Sequence, residues 1–145
     1  MTSFGENMLL RTFGTTRHLI QKPIEARMKQ EGITYSMDQI IVLMIVRHKP
    51  GFIVQQDLVD IMGKDKSVIL RMVDVMEGDG LLKRVVDVHD RRRNNLELTV
   101  KGFLLLDKIF EIEDQVSKEL LQGISKEDLD IFYSVVNRIQ QNTQK

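Results

Sequence analysis

Two short amphipathic segments, separated by one glycine turn and stopped by a second glycine cluster, constrain this chain more than any other feature. Gln55 to Met62 reads as a short helix with Leu58, Val59 and Met62 turned inward, and Gly63 ends it. After a tight turn a longer helix starts near Asp65 and runs to about Glu77, where Gly78-Asp79-Gly80 stops it. Two helices joined by a three- or four-residue turn containing Gly match the helix-turn-helix pattern. The pattern then changes. Leu81 to Val88 is rich in β-branched residues, and Leu96-Glu97-Leu98 alternates. Between them lies the polar run His89-Asp90-Arg91-Arg92-Arg93-Asn94-Asn95, so the segment predicts a β-hairpin, with Asn94-Asn95 suited to the positive φ such a turn can need.

The flanks predict more helix. Residues 6–30 carry Leu9, Leu10, Phe13, Ile20, Ile24 and Met28 at spacings near three and four, with Pro23 expected to kink or break the helix and Gly32 to stop it. Ser36 is a good N-cap, and Gln39 three residues later completes a capping box. That helix should run through Val46 and end before Lys49-Pro50-Gly51; it is apolar nearly all round, which predicts burial. Phe52-Ile53-Val54 reads as a short apolar link. Thr99 caps a long helix through Phe103, Leu106, Ile109, Ile112 and Val116 to Leu120, and Gly123 stops it. Ser125 and Asp128 mark the start of the last helix, which carries Leu129, Phe132, Tyr133, Val136 and Ile139. The tail from Gln140 to Lys145 is polar and expected to fray. With 145 residues, 42% of them apolar, and no internal repeat, the chain predicts one domain, 1–145. It is mainly α, with about six helices and a hairpin.

Composition removes several classes of function. There is no cysteine, so disulfides, Cys-based zinc sites and thiol redox sensing are excluded. His18, His48 and His89 are far apart and show no metal-ligand spacing; no metal and no cofactor are expected. The first residues lack a basic stretch leading into an apolar run, which predicts no secretory leader. The longest apolar run, Ile40 to Val46, is seven residues, against the roughly 20 needed to cross a bilayer. The expectation is a soluble cytoplasmic protein with no membrane partner.

Formal net charge is zero, which argues against a polyanion binder that is basic throughout. The zero hides polarity. Lys83, Arg84, Arg91, Arg92 and Arg93 face only Asp87 and Asp90 within the same eleven residues. From Glu111 to Asp130 the balance reverses, with seven acids against Lys118 and Lys126. A basic loop on a neutral body suits docking of one edge onto phosphate. Three arginines in a row would, taken alone, equally describe a solvated turn. Their place directly after a helix-turn-helix weakens that alternative.

The runs Asp65-Lys66-Ser67-Val68-Ile69-Leu70-Arg71-Met72-Val73-Asp74, Gly80-Leu81-Leu82-Lys83-Arg84, Asp87-Val88-His89-Asp90-Arg91-Arg92 and Leu96-Glu97-Leu98-Thr99-Val100-Lys101-Gly102 resemble the MarR (multiple-antibiotic-resistance-regulator-like) family of transcription factors. In element order the resemblance covers about residues 6–140. It implies a winged helix-turn-helix, with about 36–98 as the DNA-binding part and about 6–30 and 99–142 as dimerisation helices. It implies an obligate homodimer on a pseudo-palindromic double-stranded DNA operator, with recognition helix in the major groove and wing tip in the minor groove. It also implies a cleft for a small aromatic or phenolic ligand that lowers DNA affinity. Repression is the family's commoner habit.

On the helix from Asp65, the apolar positions Val68, Ile69, Met72, Val73, Val75 and Met76 are expected inside, leaving Lys64, Lys66, Ser67 and Arg71 outside. Ser67 and Arg71 are four apart and share a face, where they can reach base edges or phosphates. The alternative for Arg71 is a surface pair with Asp74. In the wing, Arg92 matches the family's tip arginine, and Asp90 is expected to hold its guanidinium in a fixed rotamer. Arg91 and Arg93 are expected on the other hairpin face, touching phosphate; a one-residue shift in register exchanges these assignments. Three positions depart from the family pattern: His89 stands where arginine is common, Leu70 where threonine is common, and Val54 near a usual capping Ser or Thr. His89 could make DNA affinity pH-sensitive near neutrality.

Leu9, Phe13, Phe132, Tyr133, Val136 and Ile139 are the expected dimer contacts. Arg17 and His18 are candidates for lining a ligand cleft, against ordinary surface. Two other functions compete with this one. A winged-helix protein-interaction module without specific DNA binding would have no need of Arg71 and an oriented tip arginine. A small enzyme would need a Gly-rich phosphate loop, a Cys–His pair or a metal spacing, and none is present.

Overall fold

The computed structural model of the chain describes residues 3–49 and 51–144. Met1 and Thr2 of the leader reading, Pro50 in the stop of the second helix and Lys145 of the tail lie outside the described residues. The order is α1 (Ser3–Gln30), α2 (Met37–His48), α3 (Gln55–Met62), α4 (Lys66–Gly78), β1 (Leu82–Val86), β2 (Asn94–Leu98), α5 (Val100–Leu120) and α6 (Lys126–Asn142). No helix among the described residues is long and apolar enough to cross a membrane.

Helix α1 runs unbroken through Pro23, against the expectation of a break. Leu19, four residues before Pro23, is exposed, so water can serve the carbonyl that proline leaves without a donor. Helix α2 starts as its sequence predicts. Gln39 N–H donates to Ser36 Oγ at 3.3 Å, and Ser36 N–H donates to Gln39 Oε1 at 2.9 Å. Its Ile40, Val42 and Leu43 are completely buried.

Gly63 ends α3 at φ 61°, a left-handed conformation that costs a β-carbon dear, and its N–H donates to the Val59 carbonyl at 2.9 Å. Val54 at the start of α3 has no side-chain acceptor. Asp57 supplies the reciprocal half of the cap by accepting the Val54 N–H at 2.8 Å.

The hairpin pairs antiparallel, Leu82 with Leu98 through Val86 with Asn94. Asn94 and Asn95 lie inside β2, not in the loop, and among the described residues no non-glycine has positive φ. The reason is a second partner: the Phe52–Val54 link lies along the free edge of β2, with Val54 bridging Asn95 and Leu96 N–H donating to Ile53 O at 2.8 Å. Pairing on both edges holds the two asparagines extended.

The core of this region is built from Ile40, Leu43, Ile53, Leu58, Ile69, Val73, Met76, Leu82 and Leu96, each buried. Each such side chain contributes about 1.5–3 kcal/mol of burial. Val68 and Val75, expected inside, are instead 39% and 45% exposed. Ile69, Val73 and Met76 already span the inner stripe, and Val68 and Val75 fall on its flank.

The Leu-x-Leu-Thr-x-x-Gly run has a local cause. Thr99 Oγ1 donates to the Gly80 carbonyl at 2.5 Å and accepts the Gly102 N–H at 3.1 Å, capping α5. A β-carbon at Gly102 would lie 2.1 Å from the Leu81 carbonyl oxygen, so only glycine lets α5 approach the residue before β1 this closely.

The chain divides into two compact units, 1–113 and 114–145, the division falling within α5. In the second unit Ser125 Oγ accepts the Asp128 N–H at 3.1 Å, as its spacing predicts. Helix α6 has no buried residue, although it carries Ile131, Phe132, Tyr133 and Val135.

Candidate nucleic-acid interface

Helix α4 turns its inner stripe into the core and leaves Lys66, Ser67, Leu70 and Arg71 exposed near its N-terminal half. Lys64, in the turn before it, is already paired with Asp38 at 3.0 Å. The alternative surface pair of Arg71 with Asp74 does not form. Asp74 is taken instead by Arg84 Nη2 at 2.6 Å. Among the described residues neither Lys66 nor Arg71 has an ion-pair partner, so both charges are available.

Arg84 is a candidate position that charge counting alone does not single out from its basic neighbours. It sits on β1, half-buried, and reaches both Asp74 and Glu77 on α4, while its own N–H donates to Glu77 Oε1 at 3.1 Å. The guanidinium therefore ties the root of the wing to α4 and neutralises two carboxylates there. Lys83 pairs across the strands with Glu97 at 3.4 Å. Of the five basic residues counted from 83 to 93, two are consumed by acids. The three loop arginines keep the surplus.

The wing loop, residues 87–93, is ordered by its own acids. Asp87 Oδ1 accepts the N–H groups of His89 at 2.7 Å and Asp90 at 3.2 Å, and Asp87 Oδ2 accepts the Asn95 amide at 3.4 Å. The His89 N–H, helped by the other donors, holds the Asp87 carboxyl below its ordinary value. Two backbone bonds, Asp87 N–H to Arg93 O and Arg93 N–H to Asp90 O, both 2.9 Å, close the turn. Asp90 has a different role from the one expected. Its Oδ1 accepts the backbone N–H of Arg92 at 3.0 Å and does not hold the guanidinium. A short Asx-type turn satisfies the carboxylate locally, which leaves the Arg92 side chain free to extend.

Arg91, Arg92 and Arg93 are all exposed. Arg92 and Arg93 line one groove of about 310 Å3 together with Lys66, Arg84, Gln55 and Gln56. Arg93 thus shares the side of Arg92, contrary to the alternation expected. Residues 87–93 lie outside the paired strands, where the two-residue alternation no longer applies. The Val54 N–H holds the Asp57 carboxyl low, Lys49 adds to this, and Arg93 contributes least. The groove therefore joins the N-terminal ends of α3 and α4 to the wing as one cationic surface within the first unit.

Arg17 and His18 are exposed on α1. A separate groove of about 300 Å3 is lined by Glu25, Met28, Lys29, Ile33, Thr34 and Tyr35, and includes neither of them. Leu9, Phe13, Phe132 and Tyr133 are each exposed, whereas Val136 and Ile139 are half-buried.

The sequence profile of the MarR family matches residues 31–93. Transcriptional regulator HosA of Escherichia coli is 30% identical over 129 residues, 89% of this chain and 94% of that protein. A MarR family protein from Bacillus stearothermophilus has the same fold, with TM-score 0.86 at 19% identity, covering 100% of this chain and 99% of the other. A mutant of S. aureus MepR bound to an oligodeoxyribonucleotide also shares the fold, with TM-score 0.65 at 20% identity, covering 93% and 97%.

Proposed function

The chain belongs to the MarR family, and on that premise we propose that it regulates transcription by binding specific double-stranded DNA as a homodimer. One observation carries the proposal: two sets of uncompensated cations, Lys66 and Arg71 on α4 and Arg91, Arg92 and Arg93 on the wing, belong to one compact unit. The acids nearest to Arg71 and the wing arginines are already occupied, Asp74 and Glu77 by Arg84, Asp87 and Asp90 by backbone N–H groups, while Asp65 beside Lys66 makes no side-chain cap bond.

In this reading Ser67 and Arg71 enter the major groove, and Arg71 makes the base contact. Lys66 and Arg93, along the shared groove, take phosphate. Arg92 enters the minor groove with Arg91 beside it. Lys64, paired with Asp38, contributes least. Asp90 serves by fixing the Arg92 backbone. The exposed apolar side chains of α1 (Leu9, Phe13) and of α6 (Phe132, Tyr133) are covered by the second copy, which brings two wings to a pseudo-palindromic site. That MepR is seen on an oligodeoxyribonucleotide supports the choice of partner. By analogy with the family the protein is a repressor, not an enzyme, acts in the cytoplasm, and is released by a small aromatic or phenolic ligand.

Selection from random duplex DNA tests this, with wild type beside Arg71→Ala and Arg92→Ala. Wild type should enrich a pseudo-palindrome whose half-sites lie about one helical turn apart, and both variants should lose it. Weak binding without enrichment would remove the DNA reading and leave a protein partner in its place.

A further inference from the structure

Leu70 is a large apolar side chain that the fold does not use. It is 43% exposed, while the core side of α4 is filled by Ile69, Val73 and Met76, each fully buried. It lies one residue from Arg71 and three from Ser67, so the three share one patch of the helix. Four residues before it stands Lys66, which lines the cationic groove with Arg92 and Arg93. The apolar surface is thus set among cations, on the flank that also carries Asp74 and Glu77 and faces the root of the wing.

A surface of that kind fits DNA better than an apolar protein partner, because the surrounding charges need phosphate. Within a major groove the edges of the bases offer donors and acceptors, with one apolar group, the C5-methyl of thymine. We infer that Leu70 reads a thymine methyl in each half-site, while Arg71 reads a guanine within one or two base pairs of it. The inference rests on the DNA reading above and adds its specificity. The rise from Leu70 to Arg71 is about 1.5 Å, less than one base-pair step of about 3.4 Å, so the two contacts fall on the same or neighbouring pairs. Val68, the other exposed apolar residue of this helix end, lies on the opposite flank of α4 and takes no part.

The test removes the methyl group and nothing else. Thymines of the selected site are replaced singly, and symmetrically in both half-sites, by deoxyuridine, and affinity is measured by fluorescence anisotropy with the full chain. At one position per half-site, wild type should bind about fourfold more weakly for each methyl lost, the factor expected for about 0.8 kcal/mol of apolar transfer, and on the order of tenfold for the symmetric pair. Leu70→Ala should bind the thymine and deoxyuridine duplexes equally. Leu70→Met and Val68→Ala should keep the discrimination of wild type. Equal binding of both duplexes by wild type, full discrimination by Leu70→Ala, or loss of discrimination in Val68→Ala alone would each overturn the assignment while leaving the DNA reading intact. If no site is enriched, the DNA reading fails and this inference falls with it.

Discussion

Replacing Arg84 with methionine separates the architectural from the electrostatic part of the proposed interface. The guanidinium bridges Asp74 at 2.6 Å and Glu77, and its side chain is 21% exposed against 55% and 36% for those partners. Water screens pairs this exposed, so each contributes a few tenths to about 1 kcal/mol, and the two together about 1 kcal/mol. Methionine keeps the unbranched stem, and residue 84 keeps its backbone bond to Glu77 Oε1 at 3.1 Å. Urea unfolding should therefore show a loss of about 1 kcal/mol with an unchanged slope. DNA affinity should fall further. The substitution deletes one positive charge and releases two carboxylates on the helix that carries Lys66 and Arg71. At low salt the loss should be roughly tenfold or more, shrinking as salt is raised. A double-mutant cycle with Asp74→Asn should return a coupling of about 0.5 kcal/mol in stability. Unchanged DNA affinity at low salt, or a coupling of zero, would refute the brace. A stability loss above about 3 kcal/mol would refute the screening argument by placing the pair among buried ones.

Gly102→Ala should destabilise the fold by about 1–3 kcal/mol in urea, because the new β-carbon meets the Leu81 carbonyl oxygen at 2.1 Å and neither backbone can yield freely; an unchanged midpoint would mean α5 can shift. Asp87→Ala should leave the far-ultraviolet circular dichroism unchanged yet speed amide exchange at His89 and Asp90 and weaken DNA binding. Since the folded carboxyl of Asp87 is held below its ordinary 3.8, its ordering effect is complete above that value and is lost as pH falls through the lower folded one. Wing exchange rates, corrected for intrinsic pH dependence, should then be flat from about pH 5 to 8, and a change in that window would refute the role given to Asp87. Phe132→Asp should shift the protein toward monomer in sedimentation velocity without unfolding the first unit, whereas a persistent dimer would take α6 out of the interface.

Much of the fold was legible because its cues are local. The Ser36–Gln39 box, Gly63, the Gly78–Gly80 stop and the Thr99 cap each depend on residues within one helical turn, and all four act as their spacing predicts. What was not legible depends on a distant partner. Asn94 and Asn95 look like turn residues, yet the Phe52–Val54 segment, some forty positions earlier, draws them into a strand. Pro23 signals a break, but an exposed turn tolerates the missing bond. The candidate site divides the same way. Lys66, Ser67, Arg71 and the three wing arginines could be picked from charge and periodicity. Arg84 could not be told from its basic neighbours, because its role lies in two acids on the preceding helix. Asp90 was assigned to the right residue but the wrong atoms. An Asx turn and a carboxylate–guanidinium pair have the same two-residue spacing, and only the backbone path distinguishes them.

The electrostatics follow from the same distinction between local and distant partners. A chain with formal charge zero can hold a polyanion only if its acids are kept from competing. Here that is done in two ways. The excess acids are placed from Glu111 to Asp130, outside the helix-turn-helix and wing. Most acids near the cationic surface are matched by cations, Asp38 by Lys64, Asp57 by Lys49, Glu97 by Lys83, and Asp74 with Glu77 by Arg84, whereas Asp65 at the start of α4 makes no side-chain cap bond. Asp87 and Asp90 are spent on backbone N–H groups. The unmatched remainder, Lys66, Arg71, Arg91, Arg92 and Arg93, is the set of cations that periodicity and motif single out less Lys64, which Asp38 takes. Pairing removes about as many cations from the basic count as it leaves. The field toward phosphate is therefore set by which charges lack a partner, and neither the total nor the local sum of the sequence reveals that.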